Sequence, residues 1–136
     1  MTTSPALDAW HRLAADRDPT GLTDLIADDA VFCSPAVHTP QEGKALTIVY
    51  LTAAIHVLSP SLTYHRTWHG EDSAVLEFTA ELDGKQVHGV DVIGWNDDGR
   101  IDSFTVMVRP LKGLHVVIEH MAAELGRLAT DDSRST

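Results

Sequence analysis

The sequence predicts a single α+β domain in which helices fold over a curved antiparallel sheet, with one further helix at the C-terminus. Two observations carry this. Apolar residues recur at helical spacing as far as Leu58, and from Leu62 to Val108 the pattern changes to four runs rich in β-branched and aromatic residues. Those runs are separated only by Gly70, by Asp83-Gly84 and by Asn96-Asp97-Asp98-Gly99. Connections that short make antiparallel hairpins, because parallel neighbours need long crossovers.

Taken in order, Ser4-Pro5 reads as an N-cap followed by proline at the first helical position. Leu7, Trp10, Leu13 and Ala14 continue that helix to about Asp16. Asp18-Pro19 repeats the start signal, and a short second helix is expected to bury Leu22, Leu25 and Ile26. Ala30-Val31-Phe32-Cys33 reads as a short strand stopped by Ser34-Pro35, and Val37 to Gly43 as a loop. A long third helix is expected to bury Leu46, Val49, Tyr50, Ala53, Ala54, Val57 and Leu58, ending at Pro60. The strand runs are Leu62 to His69, Ala74 to Leu82, Gln86 to Trp95 and Ile101 to Val108, closed by Arg109-Pro110. The last helix spans about Leu111 to Leu128, with a seam of Leu111, Leu114, Ile118, Met121, Leu125 and Leu128 that packs on the sheet or on a second copy. Residues 1–128 therefore form one domain, and 129–136 are expected to be a disordered polar tail.

Composition narrows the function. A length of 136 residues suits one domain with a real core. Ten basic against 20 acidic residues give a formal charge of −10, which repels phosphate backbones and anionic membranes, so neither nucleic acid nor membrane is expected as a partner. Cys33 is the single cysteine and cannot form an internal disulfide. The N-terminus lacks a basic region followed by an apolar stretch, so no leader is expected and the cytoplasm is the expected compartment.

Strand alternation sorts the side chains. Gly89, Asp91 and Ile93 share one face, with His88, Val90 and Val92 on the other; Phe104, Val106 and Val108 form one apolar face, and Leu76, Phe78, Ala80 and Leu82 another. A carboxylate in apolar surroundings is costly to desolvate, so its pKa rises unless a donor or cation pairs with it. Asp91 therefore reads either as an acid–base group or as a buried structural aspartate bonded to a neighbour.

Three stretches, Leu25-Ile26-Ala27-Asp28-Asp29-Ala30-Val31-Phe32, Gly89 to Trp95, and Asp98-Gly99-Arg100-Ile101 running on to Leu111, resemble the nuclear transport factor 2-like superfamily and its SnoaL-like, polyketide cyclase-like group. The resemblance implies a cone-shaped sheet with helices over its concave face and a pocket inside, and a homodimer. It implies that Asp91 matches the carboxyl group that helps hold the oxyanion in ketosteroid isomerases. That family's base falls on Ser34, its first-helix tyrosine on Trp10, and two supporting tyrosines on Ile26 and Leu51, so the isomerase mechanism does not carry over. The arginine of limonene epoxide hydrolases falls on Gly89. A SnoaL-like cyclase needs only one acid–base group for an intramolecular aldol closure.

The resulting expectation is a pocket for a small apolar or carbonyl-containing molecule, with Asp91 as the catalytic group and Trp10, Ser34, Tyr50, Phe78, Phe104, Val106 and Val108 lining it. The alternative is a non-catalytic ligand-binding or dimeric interaction module. No cofactor or metal is expected. His65 and His69 are about 13 Å apart along one strand face. His115 with Glu119 and His120 with Glu124 read as helix-surface pairs. Cys33 reads as a small buried hydrophobe, and Arg109 as the partner of an acid near the last helix.

Overall fold

The structure is a computed structural model that describes residues 4–134. Helix α1 (Pro5–Asp16) begins at Ser4, whose Oγ accepts from the Leu7 amide at 3.2 Å. It stops at Arg17, where a left-handed backbone (φ 54°) lets the amide donate back to the Ala14 carbonyl. Asp18 then caps the 3-10 turn Pro19–Gly21 through the Thr20 amide. Helix α2 (Leu22–Leu25) is a single turn, so Ile26 is buried as the first residue of strand β1 (Ile26–Cys33) and not on a helix. The strand begins earlier than the Ala30 start expected because the exposed pair Asp28 and Asp29 breaks its alternation at a register shift. Inside the expected loop, β2 (Gln41–Glu42) pairs antiparallel with β1.

Helix α3 (Lys44–Leu58) forms as the apolar spacing requires, and part of the expected stripe turns inward, with Tyr50 and Val57 half-buried against the core and Ala54 on the cavity described below. Thr47, Leu51, Ala53, Ile55 and Leu58 are buried, while Leu46 and Val49 are 44% and 41% exposed. This helix carries apolar residues all round, so spacing alone selects no single inward stripe.

The meander is β3 (Thr63–His69), β4 (Ser73–Leu82), β5 (Lys85–Trp95) and β6 (Ile101–Arg109), each antiparallel to the next. β4 and β5 pair over their full length from Ser73 opposite Gly94 to Leu82 opposite Lys85. Asp83 and Gly84 close that hairpin, both at positive φ (53° and 76°), which matches the twist of the strands they join. The sheet order is β2-β1-β6-β5-β4-β3, curved and unclosed. It is mixed: β1 lies parallel to β6. The expectation of a wholly antiparallel sheet fails there because the long segment between the two strands is crossover enough for a parallel pair.

Alternation holds as expected on β4, β5 and β6. Leu76, Phe78, Ala80 and Leu82 are buried on the inner face beside Gly89, Asp91 and Ile93, with Phe104 and Val106 next to them. At Gly89 the inner face has no room for a side chain: a Cβ would collide with the Met107 carbonyl oxygen and lie 2.8 Å from Phe78 Cζ. An arginine at this position could not be housed.

Helix α4 (Leu111–Arg134) extends past the Leu128 end expected and takes up most of the stretch expected as a disordered tail; Ser135 and Thr136 lie outside the described residues. It packs on its own chain, burying Val116 and Val117 against the core, and Leu111 at the head of the expected seam is 66% exposed.

Candidate functional site

Between the inner sheet face and α1, α3 and α4 lies a cavity of about 180 Å³. Trp10 from α1, Ser34 after β1, Tyr50 from α3, Phe78 from β4, Asp91 from β5, and Phe104 and Val106 from β6 all line it. Val108 does not. It sits beyond Val106, opposite Gly89, and packs half-buried against the core. The aromatic wall is tightly organised: the Trp10 and Phe104 rings meet edge-on at 4.8 Å, and Tyr50 stacks on Phe32 at 5.3 Å.

Among the described residues lining the cavity, Asp91 carries the one carboxyl group. It is 5% exposed, set between Leu76 and Val106 on the neighbouring strands. Tyr64 Oη donates to Asp91 Oδ2 at 2.6 Å, and Trp10 Nε1 donates to Tyr64 Oη at 2.9 Å. Among the described residues Oδ1 has no hydrogen-bond partner, and it opens on the cavity. Burial pushes the Asp91 pKa up to about 7, with the Tyr64 hydrogen bond pulling the other way. The Tyr64 phenol is driven well above its ordinary 10, first by burial and then by the Asp91 charge. Beside it, the His11 ring lies edge-on at 5.1 Å, and burial lowers the His11 pKa.

Tyr64 is the residue of this candidate site that sequence reasoning missed. It reaches Asp91 diagonally across β4, because Tyr64 pairs with Phe78 and Phe78 pairs with Gly89. A bulge between Tyr64 and Thr67 makes this possible. Continuing the Thr67–Leu76 register without it would set Tyr64 opposite Thr79 and turn its ring to the outer face. The same phase change separates His65 from His69, which were expected on one face. The signal in the sequence was a tyrosine in the mostly polar first strand of the meander, β3.

The other substituted positions are apolar or neutral. Ile26 and Leu51 are fully buried core residues. Ser34 Oγ accepts from the Ala36 amide at 2.9 Å, shaping the turn after β1. Cys33 is half-buried instead of fully so. No group of three or more His, Cys, Asp or Glu is arranged to hold a metal among the described residues. The expected pair of His120 with Glu124 is not formed: His120 bonds Asp83, and Glu124 bonds His56 and Arg127.

On the outer sheet face, Arg66 donates twice to the Glu77 carboxylate, at 2.8 and 2.9 Å. Arg109 meets His88 Nδ1 at 3.1 Å and no acid of the last helix, so His88 carries its proton on Nε2 and donates it to Glu77 at 2.8 Å. These bonds, Arg66 first, hold the Glu77 pKa down to about 2.

A family model described as a SnoaL-like domain matches residues 7–104. A steroid delta-isomerase from Pseudomonas aeruginosa is 36% identical, with a TM-score of 0.87 over 94% of this chain and 99% of that one. An uncharacterised protein with a cystatin-like fold from Silicibacter pomeroyi is 26% identical, with a TM-score of 0.84 over 96% and 90% of the two chains. An NTF2-like protein of unknown function from Mesorhizobium loti shares the fold at 21% identity, with a TM-score of 0.69 over 77% and 88%. No curated protein matches. With the family model covering most of its length and the cone-like architecture in place, the chain belongs to the SnoaL-like domain family.

Proposed function

We propose that the cavity takes a small, largely apolar, carbonyl-containing molecule and that Asp91 acts on it as an acid–base group in isomerase or cyclase chemistry. The observation that carries this reading is one carboxyl oxygen facing a largely apolar cavity with no hydrogen-bond partner of its own among the described residues. With a pKa near 7, the group exists in both forms at neutral pH. As the carboxylate it can remove a proton α to a carbonyl, breaking the C–H bond and leaving an enolate. In an aldol closure that enolate carbon bonds to a second carbonyl carbon, and Asp91 returns the proton to the alkoxide. No co-reactant is needed. The similarity to a steroid delta-isomerase supports the isomerase branch, and Ser34, in the place of that chemistry's usual base, supports the single-residue cyclase branch.

The test is incubation of the wild type and Asp91→Asn with a panel of neutral apolar mono- and dicarbonyl compounds, followed by thermal shift and chromatography. Wild type should convert at least one compound, and Asp91→Asn should lose on the order of 100-fold or more of that rate. Binding without conversion by the wild type would make the chain a ligand-binding module. If no panel member binds, the reading falls.

We also propose that two copies pair through the outer sheet face, where Met107 and Trp68 are 57% and 48% exposed. Burying such side chains is favourable. Sedimentation at micromolar concentration should give a dimer mass; a stable monomer overturns the pairing.

A further inference from the structure

We propose that Trp10 and Tyr64 are positioning residues that keep the exchangeable proton of Asp91 on Oδ1, so that the neutral carboxyl offers the cavity a donor and selects ligands by a hydrogen-bond-accepting oxygen. This rests on the reading above that Asp91 is the group that meets the ligand.

The argument is a count of protons. An indole N–H can only donate. Tyr64 Oη must therefore accept from Trp10, at 2.9 Å, and spend its own single proton elsewhere. The acceptor in reach is Asp91 Oδ2, at 2.6 Å. Oδ2 is thus supplied with a proton whether Asp91 is ionised or neutral. Protonating Oδ2 would turn it into a hydroxyl oxygen, a poorer acceptor than a carbonyl oxygen, and weaken that 2.6 Å bond. When Asp91 takes up its own proton, that proton belongs on Oδ1, the oxygen that opens on the cavity.

Trp10 is what makes this one-way. Without its N–H, the phenol could turn around and accept from a proton on Oδ2, leaving Oδ1 as a bare acceptor that repels a carbonyl oxygen. The groups that bear on Asp91 are few. Tyr64 comes from β3, Trp10 and then His11 from α1, and Tyr50 faces the same cavity from α3. The cavity residues of α4, β4 and β6 are apolar. Among the described residues no cation offsets the carboxylate, so the hydrogen-bond chain sets which oxygen carries the proton.

The first measurement needs no ligand. At pH 5, below the Asp91 midpoint near 7, the carboxyl C=O stretch is found by infrared difference against Asp91→Asn. In the wild type that C=O is Oδ2, which accepts from Tyr64 and absorbs at low frequency. In Trp10→Phe the free C=O becomes Oδ1 and the band should move up. The second measurement compares the affinities of 2-acetylnaphthalene and 2-ethylnaphthalene at pH 5, the second being a shape match without the oxygen. Their ratio should fall about tenfold in Trp10→Phe, the worth of about one hydrogen bond. It should recover when Tyr64→Phe is added, since no phenol then remains to turn.

An unshifted band and an unchanged ratio in folded Trp10→Phe would reduce Trp10 to a packing residue and overturn the proposal. Should Trp10→Phe not fold, Tyr64→Phe alone carries the test: the band must rise as the C=O loses its donor, and an unmoved band overturns it. A band shift with neither naphthalene bound by the wild type would support the proton placement while removing the proposed ligand class.

Discussion

At pH 8 the Asp91→Asn variant is expected to unfold at a higher temperature than the wild type. The folded pKa of about 7 stands above the ordinary 3.8, so the folded state holds its proton more tightly than the unfolded chain does. Stability from this group is fully present below about pH 4, declines as pH rises, and is gone above about pH 7. The ionised carboxylate of the wild type thus costs up to about 4 kcal/mol at pH 8. Asparagine is neutral, keeps an acceptor for the Tyr64 proton and presents its amide to the cavity. The gain should be about 2–4 kcal/mol, a rise in Tm on the order of 10 °C, shrinking as pH falls from 7 to 4. Glu77 has the opposite sign, since its lowered pKa gives stability that is lost as pH falls through about 2. It is present in both proteins and cancels in the difference. Calorimetric scans of both from pH 4 to 8 decide the matter; equal midpoints at pH 8 would show that the carboxylate is not held at a cost. The same substitution is expected to abolish turnover, so the residue would be kept for chemistry and against stability.

The second large effect is at Phe104. Its ring is 1% exposed, meets Trp10 edge-on at 4.8 Å and lies 6.1 Å from Phe32. Phe104→Ala should cost about 3–5 kcal/mol, a large share of the about 5–15 kcal/mol that holds a domain of this kind together. The space left would merge with the existing cavity, and Trp10 would lose the ring that steadies it against Tyr64. Urea unfolding gives the cost directly. A loss below about 1 kcal/mol would mean that the ring is not part of the core it adjoins.

Much of this was legible in the sequence because local chemistry decided it. Ser4-Pro5, Asp18-Pro19 and Asp83-Gly84 each form the cap or turn that their side chains favour, and period-two alternation sorted β4 to β6 onto the correct faces. The cavity position of Asp91 followed from that alternation. What was not legible depended on residues distant in the chain. The inward face of α3 is chosen by the surface it meets, since Leu46 and Leu51 are equally apolar to a periodicity argument. The pairing of β1 with β6 has no local signal. Tyr64 needed a bulge whose effect is to change phase in mid-strand, and the carboxylate that read as solitary has a phenol and an indole behind it.

The parallel pairing of β1 with β6 has a consequence for the order of events during synthesis. β1 is made early, yet apart from the two-residue β2 its partner strand is the last one of the meander. Everything from α1 to α3 must therefore wait, unsheltered, until residues 101–109 have left the ribosome. During that interval α3 carries apolar side chains that β1 and β2 alone do not cover, the condition under which a nascent chain recruits a chaperone or a neighbour. The strand that completes the sheet also supplies Phe104 and Val106, and the α4 residues that follow it close the cavity, so the protection of the early segment and the site arrive together at the end of the chain.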